Sequence, residues 1–170
     1  MKKIAFVLVI VFAFTALSCE GDRGPQGPPG LDGGLEFATV YEIERDLIPE
    51  QGYNFIFEFP GGPIPESDVV QVFLSEDRIN GSDLWTPLPA SFFFEDSSEL
   101  VYNYNHTEFD VEVFLTDSNS SLNTVPDEFI FNRRYRIVVI PAAFGETTLN
   151  LNSMEAIMQA MPNSEIINLN

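Results

Sequence analysis

Hydrophobic and polar residues alternate along much of this chain. In "YNFIFEF", Tyr53, Phe55, Phe57 and Phe59 share one face of an extended segment, and in "EFDVEVFL", Phe109, Val111, Val113 and Leu115 stand opposite Glu108, Asp110 and Glu112. A period of two is what a half-buried antiparallel strand requires, with one face on a core and the other in water. "DVVQVFL", "ELVYNY" and "RYRIVVI" follow the same pattern. Turn chemistry separates them: Pro60-Gly61-Gly62-Pro63, Asn80-Gly81, Asp117-Ser118-Asn119 and Pro126-Asp127. Roughly seven short strands at this spacing predict an all-β domain over 35–170, an antiparallel β-sandwich of the immunoglobulin-like or Greek-key type. One short helix is expected near 153–161. There Asn152 is placed to cap, Glu155 follows three residues on, and Met154, Ile157, Met158 and Met161 recur at helical spacing before Pro162. That methionine-rich stripe reads as core packing.

The alternation is missing at the N-terminus. Met1-Lys2-Lys3 precedes an almost unbroken apolar run from Ile4 to Leu17, the pattern of a secretory signal peptide over 1–18. The run is shorter than the about 20 residues of a membrane-spanning helix. Next comes "SCEGDRGPQGPPGLDGG", with the only cysteine in the chain, Cys19. A lone cysteine in an exported chain has no intramolecular disulfide partner, and Glu20 and Asp22 would raise its pKa rather than activate it. "ALSC" resembles the lipobox of bacterial lipoproteins, with Ala16 where that family usually has leucine. The resemblance implies cleavage before Cys19 and a diacylglycerol on its thiol. Each buried methylene contributes about 0.8 kcal/mol to anchoring, so two or three acyl chains hold a protein at the membrane.

Glycine then recurs at every third position, at Gly21, Gly24, Gly27 and Gly30, in collagen register. In a triple helix only glycine fits at the axis, and Pro28-Pro29 pre-sets the polyproline conformation. Four triplets are too few to hold three chains together unaided. The expectation over 19–34 is therefore a lipidated cysteine followed by a spacer of roughly 35–40 Å, at about 3.1 Å per residue. The domain it carries is expected to be a monomer rather than a homotrimer.

Charge narrows the class of partner. The chain has 8 basic and 26 acidic residues, a net charge of −18. Both lysines lie in the signal segment, so the mature chain keeps six arginines against 26 acids, a net charge of −20. Such a surface repels nucleic acid and anionic headgroups. With 16 phenylalanines and many valines and isoleucines, however, it is not a disordered acidic chain.

The order of signal peptide, lipobox, short Gly-X-Y tract and β domain is similar to that of the collagen-like lipoproteins of Bacteroidota. "DLWTPLP", "ELVYNYNHTEFDVEVFL" and "RYRIVVIPAAF" resemble the core of that group, and the likeness covers most of the mature chain. It implies an outer-membrane, lipid-anchored envelope protein, with no catalytic residues to carry over. Glu20 and Asp22 also resemble the acidic signals that send such lipoproteins to the cell exterior. That favours surface display, with a periplasmic orientation still open.

Candidate chemistry is sparse. His106, the single histidine, lies in the turn-like "NYNHTEF" without a second histidine to share a metal, and reads as solvent-exposed. Asp117, Asn119 and Ser121 in "TDSNSS", and Glu76, Asp77, Asn80 and Asp83 in "SEDRINGSD", have the oxygen chemistry of a calcium site. Neither stretch matches an EF-hand loop, and ordinary turn preference accounts for both. Trp85, the sole tryptophan, sits in "DLWTPLP" either as a partly buried plug or as a sugar-stacking ligand residue. Arg133, Arg134 and Arg136 form the only dense basic group and read as structural. Arg134 and Arg136 are expected on the solvent face of one strand, paired with Asp110 and Glu112 if that strand is a neighbour. No cofactor is expected. Three functions remain: a structural or interaction module of the envelope, a carbohydrate-binding lipoprotein, and, last, a hydrolytic enzyme. The last would need a cleft with two or more titratable groups.

Overall fold

In the computed structural model, nine strands form two sheets among the described residues, which are 37–117, 122–145 and 149–169. The signal segment, Cys19, the Gly-X-Y tract, Asn119 and Ser121 lie outside the described residues. The strands are β1 (Thr39–Arg45), β2 (Asn54–Glu58), β3 (Val69–Ile79), β4 (Ser82–Pro87), β5 (Ala90–Phe93), β6 (Glu99–His106), β7 (Asp110–Asp117), β8 (Arg133–Ile140) and β9 (Glu165–Asn168). A five-stranded sheet has the order β4-β3-β8-β1-β9 and a four-stranded sheet the order β2-β7-β6-β5. All pairings are antiparallel except that of β1 with β9. The all-β sandwich is as the alternation predicts, with two more strands than the roughly seven read from the sequence.

The inner faces meet through the residues that set the period of two. Tyr41, Ile43, Val72, Leu74, Tyr135 and Ile137 come from the larger sheet, and Phe55, Phe57, Val111, Val113 and Tyr102 from the smaller. Rings cross the interface: Tyr41 lies 5.2 Å from Phe57, and Phe55 5.0 Å from Tyr135, both tilted, as ring quadrupoles prefer. Tyr53, Phe55, Phe57 and Phe59 are all buried. Phe109 is not; it is 55% exposed. It precedes β7 in the tight turn from β6, where Thr107 Oγ1 accepts from the backbone N–H groups of Phe109 and Asp110. The strand alternation therefore begins only at Asp110.

A second apolar layer covers part of the larger sheet's outer face. Val40, Phe73, Val138 and Ile140 point outward there and are buried under Met154, Ile157 and Met161. The strand "RYRIVVI" is consequently enclosed on both sides along its second half, which is why its alternation gives way to a continuous apolar run. The helix responsible is α2 (Met154–Ala160), which follows the single turn α1 (Ala142–Gly145). Its cap is Ser153, whose Oγ accepts from the Ala156 N–H at 3.2 Å, and not Asn152 as the spacing predicts. Asn152 instead donates its backbone N–H to its neighbour's side chain, Asn150 Oδ1. Both residue types are good caps.

The long β3–β4 hairpin closes through Asn80 and Gly81, at φ 54° and 85°. Two consecutive left-handed residues are what a type I′ turn demands, and Asn-Gly supplies them at low cost. A bulge between Ser75 and Asp77 adds twist, and beyond Leu74 the arm pairs with β4 and no longer with β8. This geometry forms one wall of the site below.

Candidate functional site

The outer face of the larger sheet divides into an apolar half under α2 and a charged half beside it. At the boundary, β1, β8 and β4 place Glu42, Arg134, Arg136 and Asp83 together. Glu42 stands directly across from Arg136, and its Oε2 accepts from Arg136 Nε at 2.9 Å. Diagonally, Arg134 donates one Nη to Glu42 Oε1 and the other to Asp83 Oδ1 at 2.7 Å. Arg78 adds a charge 3.8 Å from the same Asp83 oxygen. Trp85 completes the cluster, with the guanidinium carbon of Arg136 at 4.2 Å from its ring centroid and that of Arg134 at 5.8 Å. Desolvation pushes the Glu42 carboxyl up, but hydrogen bonds and charge from Arg134 and Arg136 outweigh it, so its pKa falls below the ordinary value. The Arg134 guanidinium is held more firmly protonated in return, chiefly by its hydrogen bond to Glu42.

This arrangement corrects the expected pairing of the arginines. Asp110 and Glu112 lie on β7, in the other sheet, so they are not the neighbours of Arg134 and Arg136. Glu112 is engaged by Asn54 Nδ2 at 3.2 Å and Asn105 Nδ2 at 3.1 Å. Arg133 is different again. It donates to the carbonyls of Glu128 and Ser75, at 3.0 and 3.1 Å, and its guanidinium lies over the Tyr102 ring at 6.0 Å. The residue that sequence reasoning missed is Glu42. In "TVYEIER" it reads as one more solvent-face acid, and only the pairing of β1 with β8 makes it the hub.

Between the hairpin and the start of α2 lies a groove of about 650 Å³, bordered by Asp83, Leu84, Trp85, Arg136, Asn152 and Glu155. Trp85 is half-buried, packed on the layer under α2, with Arg136 over its ring. The indole thus serves the groove as backing rather than as a bare platform.

The remaining sequence candidates are dispersed. Asp83 is taken up by arginine, and Asp77 accepts from the Arg78 N–H at 2.6 Å on the exposed arm. Asp117 ends β7, on the other sheet. Among the described residues no group of three or more histidine, cysteine or acidic side chains is placed to hold a metal ion. His106 ends β6, exposed, beside a second groove of about 450 Å³ that also touches Ile64, Glu66, Asp68 and Phe109. No helix among the described residues is long and apolar enough to cross a membrane.

The fold defines a class, a two-sheet β-sandwich with one face helix-capped. No protein-family model, curated protein or solved structure matches the chain.

Proposed function

We propose that this chain is a lipid-anchored protein of the cell envelope that displays an acidic β-sandwich as an interaction module. The anchor is the acyl-modified Cys19, and the tract Gly21 to Asp32 is a spacer that lifts the domain from the lipid. The observation that carries the binding role is the groove beside Trp85. Two of its polar side chains, Asp83 and Arg136, are held by a partly buried ion network, which is costly to desolvate and stabilises less than apolar packing of the same volume would. Side chains fixed in this way are preorganised to receive a partner without a further ordering cost.

A Cys19→Ser variant tests both halves of the reading. Its mature form should be stripped from membranes by an alkaline wash that leaves the wild type in place, yet melt at the wild-type temperature, and, added back to isolated envelopes, it should bind saturably. Resistance of the mature variant to that wash would overturn the anchor, and absence of saturable binding would overturn the interaction role.

A further inference from the structure

We infer that the groove between the β3–β4 hairpin and α2 binds a neutral, hydroxyl-rich ligand, a short glycan segment, with Arg136 as its principal donor. The inference rests on the interaction-module reading and names the chemistry of what that module holds.

Arg136 is built for display. Its Nε is fixed on Glu42 at 2.9 Å and its guanidinium lies 4.2 Å from the Trp85 ring centroid, so the plane is set from two directions. The other edge, Nη1 and Nη2, donates to no protein acceptor among the described residues, and the side chain, 18% exposed, borders the groove. That edge is a pair of parallel N–H donors in a fixed fork. Two neighbouring oxygens match it, on one carbon as in a carboxylate or on adjacent carbons as in a vicinal diol.

Charge decides between those two. Among the residues bordering the groove, Arg136 is the one cation and Asp83 and Glu155 are the carboxylates. A carboxylate ligand would gain Arg136 and meet Asp83 and Glu155; a cation would gain the acids and meet Arg136. A hydroxyl both donates and accepts, so a diol uses the fork and the carboxylates together. Leu84, 45% exposed, and Met158 give apolar contact for the C–H faces of a sugar ring. The volume, about 650 Å³, lies within the about 300–1,000 Å³ of small-molecule sites. Recognition here is by hydrogen bonding, since Arg136 already occupies the indole.

Trp85 is the only tryptophan, so its emission reports this groove alone. Full-length protein purified in detergent is titrated with four neutral polysaccharides (dextran, laminarin, mannan and xylan), and with polygalacturonate and polylysine as charged probes. At least one neutral polysaccharide should shift the emission saturably, with an affinity insensitive to salt. Arg136→Lys, which keeps the charge and loses the fork, should weaken binding about tenfold. Asn152→Ala, at the exposed rim and outside the core, should weaken it without lowering thermal stability. A saturable response confined to either charged probe, or none to any neutral polysaccharide, overturns the inference. The two readings fail separately. Envelope binding without a neutral-glycan response leaves the module standing and this ligand wrong, whereas a glycan response without envelope binding leaves the site standing and the envelope role wrong.

Discussion

At the scale of single residues, Glu42 and Tyr135 give opposite expectations from similar burial. Glu42 is buried and twice paired, so its removal leaves Arg134 and Arg136 side by side without a counter-charge. Breaking a buried pair costs about 3–5 kcal/mol, and the partly exposed arginines lower the expectation for Glu42→Gln to about 2–3 kcal/mol, read by chemical denaturation. The pH dependence follows from the lowered pKa. As pH falls through the ordinary glutamate value, 4.5, the unfolded chain takes up its proton first while the folded carboxylate stays charged. The stability contributed by Glu42 is full above that value and is lost as pH falls through the lower folded pKa. The Gln variant should therefore show a shallower loss of stability on acidification; an unchanged acid limb would place the linkage elsewhere. Tyr135 is fully buried against Phe55, and its hydroxyl has no hydrogen-bond partner among the described residues. Burial raises its pKa well above the ordinary value, which keeps the group neutral. An unsatisfied hydroxyl costs about 1–3 kcal/mol, so Tyr135→Phe should leave the melting temperature unchanged or raised. A clear drop would reveal a buried partner, such as an internal water.

At the scale of elements, α2 is seven residues long and too short to be stable alone. Two things hold it: the Ser153 cap and the apolar face that Met154, Ile157 and Met161 lay on the larger sheet. Ser153→Ala should cost about 1 kcal/mol, while Asn152→Ala should cost almost nothing. Reversal of that order in thermal melts would restore Asn152 as the cap. Ile157→Ala, by contrast, opens a cavity in the second layer and should cost about 2–5 kcal/mol. The same helix frames the groove beside Trp85, so its loss should also disturb the emission of that residue.

At the scale of the whole molecule, the expected mature charge of −20 bears on assembly. Three such chains repel, and a twelve-residue Gly-X-Y tract has little to set against that repulsion. A soluble chain beginning at Glu20 and one beginning at Leu35 should both sediment as monomers. A trimer that disappears with the tract would make the tract a triple helix, and trimers in both would place assembly in the sandwich.

What the sequence by itself determined is local. A period of two names the strands and their buried faces, and Asn80-Gly81 names the hairpin, because each depends on residues close together in the chain. The limits of local reading show at Phe109, which continues the alternation on paper but lies in a turn, and at Asn152, displaced as cap by its neighbour. Strand partnership was decided only in three dimensions. Alternation says that Arg134, Arg136 and Glu42 avoid the inner core; it does not say that β8 lies between β3 and β1 rather than beside β7. Nor does it say that the helix beginning at Met154 covers part of that face. Those choices are set by the total apolar area that two sheets and one helix bury together, a sum over distant segments that no window of the chain contains. The groove and its charge balance exist only as a result of that sum.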